Sequence, residues 1–357
     1  MKNITRFIQF VVASVFIFSG FVKLIDPIGT KIKMLEYFGE DVLNLTFLNP
    51  YALQISVLLI ILEFGLGIFL LFGLYKKFTV RSLLVLIAIF LFLTWYSAYY
   101  NKVTDCGCFG DAVKLSTWET FYKNVVLIIL IIWLNIDLKN MYELFSKTLR
   151  TALSHLLVLS GLLLSIYTIY HIPVIDFRPY AIGKNIQKGM EIPADAPQAK
   201  FKEIWYYKVN GEVKEYATKD EPWNIPNAEF IKRKTITLSE GYTPPIHDFS
   251  IENDTDGDIT NKVLNADEIY LIISAHPTEI SDHAKEVINK YANKLKQENK
   301  KVIGMFSELD DGLQSQFTFP LYLTDQTTLK TMIRSNPGVI KLEKGTVVKK
   351  IPWRELD

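Results

Sequence analysis

Five apolar stretches in the first half of the chain constrain its fold most. At 1.5 Å of rise per residue, each is long enough, or nearly so, to cross the hydrocarbon core of a bilayer as a helix. They run at about 7–25, 52–74, 83–100, 121–136 and 152–170. A chain inside lipid must satisfy its own backbone, so these stretches are expected as helices packed into a bundle. They also account for a composition that is 49% hydrophobic over 357 residues, high for a wholly soluble protein. Net charge is +1, with no basic block interleaved with aromatics, which argues against a nucleic-acid partner. Lys2 and Arg6 ahead of the first stretch would also suit a signal peptide. No small-x-small cleavage site follows, whereas Lys23, Asp26 and Pro27 do, so the stretch reads as a spanning helix.

Basic residues in short loops are retained on the cytoplasmic side during insertion. Lys2 and Arg6, then Lys76, Lys77 and Arg81, then Lys139, Lys147 and Arg150 mark alternate ends of the helices as cytoplasmic. The loop between the third and fourth helices, and everything after Tyr170, is then extracytoplasmic. Lys31, Lys33, Lys102 and Lys114 run against this pattern and are offset in part by Asp26, Glu36, Glu40 and Asp41.

That loop holds the two cysteines of the chain, Cys106 and Cys108, separated by Gly107. With no Cβ, Gly107 tolerates the backbone angles of a very small disulfide ring. A strained, exposed bridge is of the exchangeable kind, and the extracytoplasmic side is where disulfides persist. An inert bridge pinning a tight loop, two thiolates of a metal site and two free thiols are the other readings. No partner pair of Cys or His follows at zinc spacing, so no metal is expected. Ser116 and Glu119 form a capping box that starts the next helix just beyond the loop. Trp95, Tyr96, Tyr99, Tyr100, Trp118, Phe121 and Tyr122 gather at the same end, as an ordinary interfacial belt or as a lipid-side approach for a quinone headgroup.

Glu63 lies near the middle of the second stretch, where a carboxylate needs a partner or a proton and must face the bundle interior. Counting depth along the helices places Ser14, Ser19 and Thr94 nearer its level than Lys23, which is expected to snorkel at the outer end. Structural hydrogen bonding and proton handling or ligand binding are both open to Glu63, and it is grouped with Trp118 as a candidate cofactor contact.

Ser19-Gly20-Phe21-Val22-Lys23-Leu24-Ile25-Asp26-Pro27, the helix-borne Glu63 with Gly65, Gly67 and Gly73, and Cys106-Gly107-Cys108-Phe109-Gly110 followed by Trp118 carry a resemblance. Over about the first 140 residues the chain resembles the DoxX/MauE-like membrane proteins. The resemblance implies a four-helix bundle in residues 1–138 and a link to extracytoplasmic maturation of disulfide-rich proteins. It marks Cys106 and Cys108 as the candidate redox pair. It also implies the bacterial inner membrane, with the cysteine loop and the C-terminal half on the periplasmic side. Residues 139–172 then hold a cytoplasmic loop and the fifth helix.

Residues 173–198, rich in proline and without periodicity, read as a linker. Within it, Asp176-Phe177-Arg178-Pro179-Tyr180 suits a docking collar or an interfacial anchor. Asn210-Gly211 between two alternating runs is a strong hairpin signal, and with a strand at 230–238 it makes residues 199–245 a small β unit. The Asp254–Asp258 cluster lacks the spacing of a calcium loop and reads as a polar turn. From about 246 the order strand, helix, strand, helix, strand, strand is similar to the thioredoxin fold, and Asp248-Phe249 ahead of it resembles the entry of membrane-tethered thioredoxins of the TlpA type. Pro337 matches that family's cis-proline. Where the family places Cys-x-x-Cys, this chain has Thr278-Glu279-Ile280-Ser281, with no sulfur. Pro337, Thr278 and Ser281 are the candidate client-binding residues of a domain that cannot exchange disulfides.

The fold class expected is an α-helical transmembrane bundle followed by an α/β thioredoxin-like domain with a β insertion. Two functions compete. In one, the Cys-Gly-Cys pair accepts electrons from client thiols and passes them to another protein or to a membrane quinone, with no covalently bound cofactor. In the other, the chain is a non-enzymatic scaffold that docks an envelope protein, and the loop is structural.

Overall fold

The computed structural model describes every residue except Met1, Thr104, Asp105, Cys106, Lys114, Asn210, Glu240 and Asp357. Helices α1 (Lys2–Ile25), α3 (Ala52–Phe72), α4 (Lys76–Tyr100), α5 (Thr117–Ile136) and α6 (Lys147–Tyr170) are each long and apolar enough to span a membrane. Each of the five expected stretches is a helix, and the chain is a multi-pass membrane protein. Helices α1 and α3 run antiparallel in close contact, because glycine stands where they cross. A Cβ at Gly20 would sit 2.8 Å from the Phe64 Cα, and one at Gly67 would sit 2.9 Å from the Ile17 nitrogen. In lipid, where apolar burial drives little, such close packing is what holds helices together. Both halves of the Ser116/Glu119 capping box form at the start of α5.

One helix of the first half was not expected. Asp26 accepts a hydrogen bond from the Gly29 N–H and Pro27 follows it at the first helical position, which starts α2 (Pro27–Phe38) directly after α1. Tyr37 and Phe38 are buried, and the Ser97 hydroxyl of α4 donates to the Tyr37 oxygen, so α2 lies across the cysteine-loop end of the bundle. Of its charged residues, read above only as loop charges, Lys33 turns to the cysteine loop, its stem against Gly107.

After α6 come a short α7 (Ile186–Met190) and the projecting sheet β1 (Lys200–Val209), β2 (Glu212–Ala217) and β3 (Glu229–Ser239), in the order β2-β1-β3 with both pairings antiparallel. The chain continues through the two-residue strands β4 (Glu252–Asn253) and β5 (Gly257–Asp258) of a polar turn, and through α8 (Thr260–Leu264). The remaining elements are β6 (Ile269–Ser274), α9 (Asp282–Gln297), β7 (Val302–Phe306), α10 (Asp311–Gln314), β8 (Leu321–Leu323), α11 (Gln326–Met332), β9 (Gly338–Glu343) and β10 (Thr346–Pro352). The sheet order is β10-β9-β6-β7-β8-β4-β5; β6 and β7 are parallel, and β9 is antiparallel to both β6 and β10. That is the thioredoxin arrangement, extended at one edge by β8, β4 and β5.

The segment expected as a linker is part of this domain. The backbone of 183–186 pairs with β10, as Gly183 N–H donates to the Val347 carbonyl, Val347 N–H to that of Lys184, and Ile186 N–H to that of Gly345. Ile186 is fully buried, and Tyr180 packs on Phe249. Prolines break local periodicity, and pairing with a strand about 160 residues away leaves no local signal.

Charged groups join the domain to the bundle. Arg334 donates to both oxygens of Asp26, at 3.1 and 2.9 Å, and to Asp111 at 3.2 Å. Arg178 holds Asp176 through Nε and Nη2, and Lys350 reaches the same carboxylate at 2.8 Å. Burial pushes the Asp26 carboxyl up, but the charges of Arg334 and Arg178 outweigh it and hold it below its ordinary value of 3.8. Asp176 is held low in the same way, with Arg178 and Lys350 outweighing burial. For Lys350 itself burial wins, aided by Arg178, and brings the ammonium down to about 8.

Two outcomes test this junction. Arg334→Ala strands two carboxylates and should weaken docking by about 2–3 kcal/mol, between exposed and fully buried pairs; limited proteolysis of residues 171–185 in membranes should accelerate while each half keeps its helices and strands. Because the folded pKa values of Asp26 and Asp176 lie below their unfolded ones, their contribution is complete above the ordinary carboxylate range. It should be lost only as pH falls through the folded values, so the same proteolysis should stay slow at pH 5 and speed up well below pH 4.

Candidate functional site

Lys23 and Glu63 form a buried ion pair inside the bundle, 9% and 3% exposed. Side chains on a helix lean toward its N-terminus. In antiparallel α1 and α3 this tilts Lys23 back into the bundle and Glu63 up toward it, so the two meet. The Lys23 Nζ donates to Glu63 at 2.8 and 3.1 Å, to the Ser19 Oγ at 2.9 Å and to the Cys108 carbonyl at 2.8 Å. An ammonium has three N–H groups, and all are spent. The Ser19 hydroxyl donates a hydrogen bond to the same carbonyl. Lys23 therefore does not snorkel. Counting depth by Cα level missed the pair because it ignores both the lean and the length of the side chain. Ser19, four residues before Lys23 on the same face of α1, was the signal available in the sequence.

The pair clamps the cysteine loop. Gly110 N–H donates to the Gly107 carbonyl, and Ala112 N–H to that of Phe109, closing consecutive turns. The Phe109 ring lies 5.5 Å from that of Phe18 and under the Lys123 ammonium at 4.4 Å. Cys108 is half-buried. Cys106 lies outside the described residues, and the expected ring closure with it.

Cys108, Lys23 and Glu63 line a cavity of about 50 Å³ whose apolar wall includes Leu59, Phe90 and Leu93, with Thr30, Lys33, Tyr37 and Thr94 as further polar members. A smaller hollow behind it touches Ser19, Glu63, Cys108 and Asn124. Trp118 is not part of either; it is exposed on α5, edge-on to Phe121 and tilted against Tyr122. The structure thus separates the two residues grouped above as cofactor contacts, and only Glu63 adjoins the cysteine loop.

The client-binding candidates are also divided. Thr278 is exposed in the turn after β6, and Ser281 is exposed but caps α9, its Oγ accepting from the Ala284 N–H. Pro337 follows a cis peptide bond and is buried. Asn336 ties the proline loop to that turn, accepting from the Ser274 hydroxyl at 2.7 Å and donating to the His276 carbonyl at 2.8 Å. Sequence reasoning missed Arg334, three residues before Pro337, as the side chain that carries this loop to the bundle.

With this geometry in view, comparison with known proteins bears on the bundle. Residues 1–136 match the family model described as methylamine utilisation protein MauE. The membrane domain is MauE-like. Protein TlpB of Flavobacterium psychrophilum is 26% identical over 156 residues, a match that covers 41% of this chain and 42% of that protein. No solved structure matches the chain. The MauE-like match spans the clamp and the whole cysteine loop, and stops before α6 and the thioredoxin-like domain.

Lys23→Met leaves the Glu63 carboxylate buried without its cation and should destabilise the bundle by roughly 3–5 kcal/mol. Lys23→Met/Glu63→Leu removes both charges and should recover most of that loss. Thermal unfolding of the purified protein in detergent, run as a double-mutant cycle, reads the coupling; additive losses would mean the pair does not act as a unit.

Proposed function

We propose that the chain is a membrane thiol-disulfide oxidoreductase in which Cys106 and Cys108 exchange disulfides with client thiols on the extracytoplasmic, periplasmic side of a bacterial inner membrane. What carries this reading is the Lys23–Ser19 clamp, which fixes the Cys108 backbone at the mouth of an apolar cavity. In the reaction, a client thiolate attacks one sulfur of the Cys106–Cys108 bond and the other leaves as thiolate. A second client thiolate then resolves the mixed disulfide. The client gains a disulfide, the pair gains two electrons and two protons, and both client thiols are oxidised.

The electrons must leave through another acceptor, since the chain has no second cysteine pair. A membrane quinone, when bound, supplies a two-electron, two-proton sink. The apolar wall formed by Leu59, Phe90 and Leu93 suits the edge of such a ring, and Tyr37 and Thr94 would face it. A cavity of about 50 Å³ holds less than a whole headgroup, so α2, which carries Tyr37, would have to give way. Lys23 and Glu63 hold the loop still while this happens.

The thioredoxin-like domain, lacking cysteine, serves in this reading to receive the client. Thr278 and the neighbouring turn are its open part, whereas Pro337 would need uncovering. A scaffold role is the second reading, favoured by the Arg334 junction, which fixes this domain to the bundle.

Alkylation trapping of Cys106 and Cys108 in intact cells, with and without quinone depletion, separates the two. Turnover predicts a pair that is mostly oxidised and becomes reduced on depletion, and a phenotype lost in Cys106→Ala and Cys108→Ala. A pair locked in one state under both conditions, with the phenotype intact in both variants, would leave the scaffold.

A further inference from the structure

The end of the bundle opposite the cysteine loop carries a larger hollow, about 370 Å³, within the range of about 300–1,000 Å³ usual for small-molecule sites. It is lined by Arg6, Gln9 and Phe10 of α1, Leu71 of α3, and Tyr142 and Leu144 of the connection into α6. Gln9 fixes its shape. The side-chain amide donates to the Leu70 and Tyr142 carbonyls at 2.8 and 3.0 Å and accepts from the Tyr142 N–H at 2.7 Å, which laces the connection to α1 and α3. The hollow is thus built jointly by the MauE-like part and by the chain beyond residue 136.

The charge in this hollow is unmatched. Among the described residues at this end, the carboxylates are already engaged, Asp137 by the Thr5 hydroxyl and the Asn140 amide, and Glu143 by Lys76 and Arg150. Neither pairs with Arg6. Its guanidinium lies over the Tyr142 ring, with Cζ 4.9 Å from the centroid. Stacking occupies the face of the guanidinium and leaves the N–H groups in its plane free to donate. Only Nε is sealed without a partner; the two Nη groups of this half-buried side chain stay accessible, and Arg6 lines the hollow.

Depth in the membrane decides what meets them. Side chains on α1 lean toward its N-terminus, so Arg6 reaches toward the headgroup level. Phe10 lies one turn deeper on the same face; at 59% exposed on a spanning helix, it lies against acyl chains. Leu71 and Leu144 continue that apolar wall. An unmatched cation above hydrocarbon complements a lipid whose anionic phosphate sits above its chains.

We propose that this hollow binds one anionic phospholipid of the adjoining leaflet, with its phosphodiester on the Arg6 Nη groups and the upper part of an acyl chain along Phe10 and Leu71. A zwitterionic lipid fits less well, because its ammonium finds no unengaged carboxylate among the described residues at this end. No bond forms or breaks. The site is independent of the thiol chemistry at the other end of the bundle.

The test uses the purified full-length protein, delipidated in a neutral detergent, with phosphatidylglycerol or phosphatidylcholine of identical chains, and inorganic phosphate as the headgroup anion without a tail. Native mass spectrometry reads the lipid bound and its affinity. Phosphatidylglycerol should bind roughly fivefold tighter than phosphatidylcholine, the scale of one cation at a lipid surface, and equimolar phosphate should not displace it. Arg6→Gln should abolish the preference, and Arg6→Lys should keep most of it. Lys77→Gln, at an exposed cation of the same end outside the hollow, should leave it unchanged. Leu144→Trp fills the hollow without altering any charge, should lower the affinity for phosphatidylglycerol, and carries the test if Arg6→Gln fails to fold. Equal binding of the two lipids, a preference that survives Arg6→Gln, an affinity unmoved by Leu144→Trp, or a preference lost as fully in Lys77→Gln would overturn the assignment, the last by showing diffuse surface charge. Displacement of the lipid by equimolar phosphate would overturn the lipid as occupant and leave a site for a free anion.

Discussion

The Lys23–Glu63 pair is the constraint around which the membrane half is arranged. A charge in a bundle interior must be matched by an opposite charge and by hydrogen bonds that use up its remaining donors. Lys23 meets both conditions only by accepting a third partner from outside the helices, the Cys108 carbonyl. The electrostatic need of α1 and α3 thus recruits the loop between α4 and α5. The close approach at Gly20 and Gly67 is part of the same arrangement, since it brings the two helices near enough for the lean of each side chain to close the gap.

A spacing of three residues then carries this order outward. Lys23 points inward to Cys108, and Asp26, three residues on, points to Arg334. In the loop, Cys108 answers Lys23, and Asp111, three residues on, answers Arg334. The two chains are held side by side at two levels, one inside the bundle and one at its end. The thioredoxin-like domain is bound at the second level, through a residue of its own proline loop. A domain without cysteine can still matter for thiol chemistry when its position is fixed relative to thiols carried elsewhere, and Arg334 supplies that fixed relation.

What could be read from the sequence was what is written locally. The apolar runs, the Ser116/Glu119 box, the antiparallel pairing of β1 with β2 and the order β6, α9, β7, α11, β9, β10 follow from short-range pattern and appear in the structure, whereas the short α10 and the three-residue β8 left no such pattern. The Asp26-Pro27 pair is equally local, a cap followed by a first-turn proline, and it announced α2; its position beside a membrane helix disguised it as a loop. The rest depends on partners far apart in the chain. Asn185 bridges Thr346, and Arg334 meets Asp26 across 308 positions. Neither has a periodicity to betray it, and an Arg near Pro337 reads as surface charge until the surface facing it is known. Lys23 and Glu63 fall between these cases: both were visible as isolated charges in apolar helices, and only the direction of the side chains was needed to join them.

The two faces of the cysteine loop place opposite demands on it. One side is an apolar cavity floored by an ion pair, and the other a crevice of guanidinium, ammonium and carboxylate groups. In the proposed reading, a dithiol that takes electrons from polar donors and passes them to a lipophilic acceptor would use this division, because one solvent environment cannot favour both partners. It also needs the loop to stay put, since a turn that swung freely would mix the two sides. The sources of rigidity match that need: Lys23 and Ser19 hold the backbone from within, Phe109 is gripped between Phe18 and Lys123, and Asp111 is drawn to Arg334 from the far side.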